Sequence, residues 1–165
     1  MKYLMMKTAD QAALFDELER MPGFLRSVFE DLDPTRVAQP GPDRLFSPVE
    51  QCWHLADLER EGFGVRIRRM LDESDPALPD FDGDRVARER NYRSLSLRDA
   101  IAAFHEARRS NLAALRVLTA DQWSRQGVQE GVGAVGLCDM PSLMAQHDAA
   151  HRAEIEIWME SVGRS

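Results

Sequence analysis

The chain has 165 residues, with 21 Lys and Arg against 28 Asp and Glu, a formal net charge of −7. An apolar share of 44% and a charged share of 30% exclude wholesale disorder and predict a single domain over 1–165, long enough to bury roughly 70% of its unfolded surface. The acidic balance argues against nucleic-acid or anionic-membrane partners, no apolar run nears the ~18 residues of a membrane span, and two cysteines, Cys52 and Cys138, with no signal-like opening point to a soluble, cytoplasmic protein.

Four long helices and no strands are predicted. The first begins at Thr8, where T-x-x-Q with Gln11 forms a capping box. Leu14, Leu18, Met21, Leu25, Val28 and Leu32 then follow at steps of three and four. Pro22-Gly23 predicts a kink or break in that run, because proline removes a hydrogen bond and clashes with the preceding turn. Residues 33–46 carry three prolines and a glycine and read as a loop. The second helix opens on Ser47 as cap, with Pro48 in the first position and Glu50 closing the box, and runs to about Leu71.

Residues 72–95 form a long connection, broken by Pro76, Pro79 and Gly83, with a short helix expected in DRVARERNYR. The third long helix runs from Ser96 to about Leu118. Residues 119–138 are expected to be irregular, apart from a turn at Thr119–Trp123. The fourth starts near Asp139, because Pro141 is tolerated only in a first turn, and ends near Ser161. The fold class is therefore all-α, a four-helix bundle with long connections between helices two and three and between three and four.

The chemistry-bearing residues are histidines. His147 and His151 lie four apart on one face of the last helix, among Leu143, Met144, Ala150, Ile155 and Trp158. Imidazoles on an apolar seam need partners, and one cation satisfies two of them at once. His54, early in the second helix, is the natural third ligand. Matching its height to the other two predicts that helices two and four run roughly parallel. Three neutral imidazoles leave a coordination position open, as catalytic centres do. The competing reading is a set of core histidines bonded to carboxylates. Glu50, Asp57 and Glu154 are the carboxylates within reach, whether as orienters of ligating imidazoles, as their direct partners, as a general base or as a fourth ligand; Asp57 and Glu154 are the catalytic candidates. His105, in an arginine-rich helix, reads as a surface or rim histidine. Arg85, Arg88, Arg90 and Arg93 form a locally basic run, either an anion-holding patch or a solvated face paired with nearby acids. Cys138, near a helix start, and Cys52 read as small buried hydrophobes, although a helix terminus can depress a thiol's pKa.

SPVEQCWHLADLER and MAQHDAAHRAEIEIW, with the glycine-rich stretch between helices three and four, resemble the DinB-like superfamily of metal-dependent four-helix-bundle proteins. The resemblance covers nearly the whole chain. It implies that His54, His147 and His151 bind one divalent metal, commonly nickel or zinc, in a cleft at one end of the bundle. It further implies a homodimer acting on a small molecule, with relatives that use low-molecular-weight thiols in transfer or isomerisation. Pro141 early in the last helix, and Cys138 in place of a helix-opening Ser or Thr, depart from the commoner pattern. The function expected is that of a metal-dependent enzyme activating a thiol or water. The alternative is a non-catalytic, stress-linked metal-binding or dimerisation module.

Overall fold

A computed structural model describes residues 2–163. After a short turn of helix, α1 (Lys2–Met5), the first long helix is α2 (Thr8–Phe29). Its cap is Lys7, which makes no side-chain capping bond; Thr8 is already helical, and the Gln11 amide reaches the Tyr3 carbonyl at 2.8 Å. The predicted capping box is thus replaced by a tie back to α1. The helix passes through Pro22-Gly23 without a break, because Met21, Pro22 and Leu25 are all buried and packing holds the turn helical.

The second long helix is α3 (Pro48–Asp57), a wider π turn (Leu58–Phe63) and α4 (Gly64–Asp72). At its start the Glu50 carboxylate accepts both the amide and the hydroxyl of Ser47, at 2.9 and 2.6 Å. The π turn leaves the Glu59 carbonyl to the Gly64 amide and to the Asn111 side chain at 2.8 Å. Gly64 suits that position, since a Cβ would sit a tight 3.0 Å from both the Glu59 carbonyl and Asn111 Oδ1. The uninterrupted helix expected to Leu71 is thus broken by a π turn; the Gly62-Phe63-Gly64 run, not read as a signal, marks the place.

The connection after α4 contains β1 (Ala77–Leu78) and the expected short helix, α5 (Gly83–Glu89). α6 (Leu97–Arg116) starts on a Ser96 cap, and α7 (Ala120–Trp123) is the expected turn, opened by Thr119. The segment expected to be irregular instead forms a hairpin, β2 (Gln126–Gln129) and β3 (Gly133–Gly136), with β1 added parallel to β2. This small sheet corrects the expectation of no strands. Its strands are too short and too glycine-rich to show a period of two, and β1 finds its partner some fifty residues away in sequence, at β2. α8 (Met140–Gly163) is the last helix, with Pro141 in its first turn as predicted.

The core has two main layers. One gathers Phe15 and Leu18 of α2, Ile67 and Met70 of α4, Leu112 and Leu115 of α6, and Met144 of α8. The other gathers Met21 and Leu25 of α2, Val49 and Leu55 of α3, Ala100 and Phe104 of α6, and Ile155 and Trp158 of α8. α2 and α8 therefore run from the first layer to the second, while α3–α4 and α6 run the opposite way. Helices two and four are antiparallel, which corrects the predicted parallel arrangement. The 72–95 connection is long enough to return along the bundle, so α6 starts in the same layer as α3. His151 lies 11 residues after Met140 and 12 before Gly163, near the middle of α8, where height is the same for either direction.

Candidate metal centre

α3 and α8 bring His54, His147 and His151 together where the two core layers meet. One ligand nitrogen from each ring lies within 4.8 Å of those of the other two. The Nε2 atoms converge: 3.2 Å separates those of His54 and His147, and 3.0 Å those of His151 and His147. His151 is buried and the other two are half-buried. Helical spacing gives the His147–His151 pair, and the apolar seam turns it inward.

The environment favours neutral rings. Burial, reinforced by the neighbouring His151, lowers the His54 pKa to about 4; burial with the charges of His151, His54 and Arg108 lowers that of His147 to about 2. Neutral imidazole is the ligating form. His151 Nδ1 meets Gln51 Oε1 at 2.6 Å and Glu154 Oε2 at 3.0 Å. Both are acceptors, so Nδ1 carries the proton and the Nε2 lone pair faces the other two rings. The Gln51 amide also donates to Glu154 Oε2 at 2.8 Å, which locks the acceptors together. The hydrogen bond from His151 is the main cause holding the Glu154 carboxyl down at about 2. Glu154 is thus an ionised acceptor, suited to orienting His151.

His54 Nδ1 is buried without a hydrogen-bond partner. The His54 ring lies between Phe46 and Phe81, with centroids 5.7 and 6.0 Å away, and against Gly83 at the start of α5. A Cβ on Gly83 would fall 2.3 Å from His54 Cε1, so only glycine lets α5 approach this closely. A cavity of about 470 Å³ opens beside His54, His151 and Glu154.

Other candidates land elsewhere. Asp57 is buried but bonds away from the histidines, to Arg60, to Arg90 at 2.5 Å and to the Tyr92 hydroxyl at 2.5 Å. It anchors the segment after α5 to the helix that carries His54. Glu50 caps α3 and pairs with Arg93 at 2.9 Å. Arg90 makes a two-pronged pair with Glu61 at 2.8 and 2.9 Å, and Arg85 faces Asp82 and Glu89. Three of the four arginines in the basic run are therefore paired with acids, and the Arg88 side chain has no partner among the described residues. His105 is exposed, as expected, while Cys52 and Cys138 are buried, and burial pushes the Cys52 thiol up. Gln51 was not foreseen, although its place one turn before His54 was a usable signal. Nor was Arg108, which lies buried between Glu59 and Asp148.

Across the architecture and the site, the chain is a helical bundle built around a convergent histidine cluster. The sequence profile of the DinB superfamily matches residues 17–155, and the chain belongs to that superfamily. Among curated proteins, none matches the sequence. YfiT from Bacillus subtilis, a solved structure described as "a probable metal-dependent hydrolase with an unusual four-helix bundle topology", has the same fold. The TM-score is 0.86 at 21% identity, over 96% of this chain and 90% of that one.

Proposed function

We propose that His54, His147 and His151 hold one divalent ion, nickel or zinc, and that the protein is a metal-dependent enzyme activating a thiol or a water for transfer, isomerisation or hydrolysis of a small molecule. One observation carries this reading: three Nε2 atoms converge while the far nitrogen of His151 is already committed to Gln51 and Glu154. The donor set fits a cation of borderline softness, and a three-histidine set leaves room for another ligand. When bound, such an ion would supply Lewis acidity, bringing the pKa of a bound water toward neutrality or holding a thiol as its thiolate.

The chain's own residues do the rest. Gln51 and Glu154 fix the tautomer of His151, so that its lone pair needs no rearrangement. Phe46, Phe81 and Gly83 shield the outer side of His54 from water. Asp57, through Arg90 and Tyr92, holds the end of α5 in place and acts on the centre only through that segment. Membership of the DinB superfamily supports the reading, as does the metal dependence ascribed to YfiT. A low-molecular-weight thiol as co-substrate, a homodimeric assembly and a cytoplasmic location belong to the same proposal.

Elemental analysis of untagged protein tests it: one divalent ion per chain is expected, and none in His147→Ala. Metal-free protein whose melting temperature ignores added zinc and nickel would overturn the assignment. Thiol addition to a generic electrophile separates the enzyme from a non-catalytic metal-binding module. The enzyme loses this rate in chelator, whereas a rate indifferent to chelator favours the module.

A further inference from the structure

A second cavity, of about 580 Å³, adjoins the one at the histidines, and the two share Arg44, Phe46 and Asp84 in their walls. Each lies in the size range of small-molecule sites. Their electrostatics differ. The first cavity has Asp82, Asp84 and Glu154 in its wall against Arg44; Asp82 pairs with Arg85 at 3.8 Å, which leaves Asp84 and Glu154 as its acidic side. The second has Arg44, Arg88 and Arg93 against Glu50 and Asp84. Glu50 and Arg93 neutralise one another at 2.9 Å, which leaves Arg44 and Arg88 facing Asp84. Among the described residues, neither of these two guanidiniums has a hydrogen-bond or ion-pair partner. Their neighbours Arg85, Arg90 and Arg93 all have one. The backbone at Asp43 and Arg44 is left-handed, with φ of 53° and 65°. That conformation is unfavourable for non-glycine residues, and here it sets the course of the chain at the wall both cavities share.

We propose that this second cavity is an anion subsite, in which Arg44 and Arg88 hold the carboxylate of an elongated small-molecule substrate whose reacting end lies at the histidine centre. The planar guanidinium fork matches a carboxylate, and Phe46 offers an apolar wall between the two ends. The polarity gradient fixes the orientation, because the acidic wall beside the histidines repels the same carboxylate. The inference refines the basic run to one of its members and adds an arginine from the loop before α3. It rests on the metal-centre reading only for the position of the reacting end.

Calorimetric titration with 4-phenylbutyrate and with its uncharged amide tests the subsite, on chelator-treated protein and again after one equivalent of zinc. The acid is expected to bind at least fivefold more tightly than the amide in both states. An Arg44→Gln/Arg88→Gln variant loses that preference, while Arg85→Gln keeps it. All three side chains are exposed, so unchanged melting temperatures verify folding. Equal affinity for acid and amide, no binding of either, or a preference surviving in the double variant overturns the proposal. The chelator-treated arm isolates the arginines: a preference seen there stands even if no metal binds, and stoichiometric metal without a preference sinks the subsite alone.

Discussion

Two polar clusters meet on α8, one joined there by α3 and the other by the π turn and α6, and they are finished differently. Below the histidines, Arg108 is 2% exposed and Glu59 1%. The Arg108 guanidinium donates to both oxygens of Asp148, at 2.6 and 2.9 Å, to Glu59 at 3.0 Å and to the Leu18 carbonyl at 3.0 Å. Asn111 donates to Glu59 at 2.9 Å. Charge meets charge within the protein, and among the described residues the Arg108 Nε is the one buried side-chain nitrogen of this cluster that lacks a partner. At His54, His147 and His151 three acceptor-capable nitrogens face one another, with no fixed donor between them. A closed network ties helices together; an open one leaves its lone pairs for something from outside. Adjacent residues divide the work, as Asp148 faces the closed cluster and His147 the open one.

The contrast can be broken most strongly at Arg108. Arg108→Met strands two buried carboxylates and is expected to cost about 3–5 kcal/mol, read as a large fall in chemical-denaturation midpoint. A loss below 1 kcal/mol would mean that the cluster is not structural. His147→Ala should act in the opposite sense. Metal-free stability changes little, but the gain on adding metal, about 2.7 kcal/mol at a hundredfold excess over Kd, disappears from thermal melts.

Smaller perturbations sharpen the comparison at the edges of the centre. Gly83→Ala pushes a methyl into the His54 ring and Gln51→Ala removes an acceptor from His151. Each is expected to weaken zinc binding about 10- to 100-fold, the usual scale for groups that orient ligands. Competition titration against a chromogenic chelator measures it, and unaltered affinity in both variants would refute these roles.

The mildest probe is pH on metal-free protein. Below about pH 6.5 the unfolded chain takes up protons that His54 and His147, with pKa values lowered to about 4 and about 2, refuse in the native state. Stability therefore falls as pH drops from 6.5 toward 4, by at most about 1.4 kcal/mol per unit for each ring. Denaturation at pH 7, 6 and 5 should show a slope that flattens in His54→Phe/His147→Phe. A slope that does not change would place the proton uptake elsewhere.

Much of the site was legible in one dimension. The four-residue step between His147 and His151, the apolar residues around them and the Ser47-Pro48 start that places His54 are local facts, and the structure keeps them. Arg108 does not stand out in the sequence, because its own helix also carries Arg98 and Arg109, and nothing local marks one of the three as buried. Asp57 sits at the spacing that would bring it to His54, yet Arg90 and Tyr92 claim it from across the 72–95 connection. Gln51 is invisible as an orienter until α8 is laid against α3.

Sequence alone determined the four long helices, most of their starts and the inward face of the histidine pair, because caps, proline positions and helical periodicity act within a few residues of themselves. Tertiary structure alone decided that α8 opposes α3, that three short strands join two distant connections, and which acid each arginine meets. Those outcomes depend on pairings between residues far apart along the chain, whose free energy is realised only once the helices are packed.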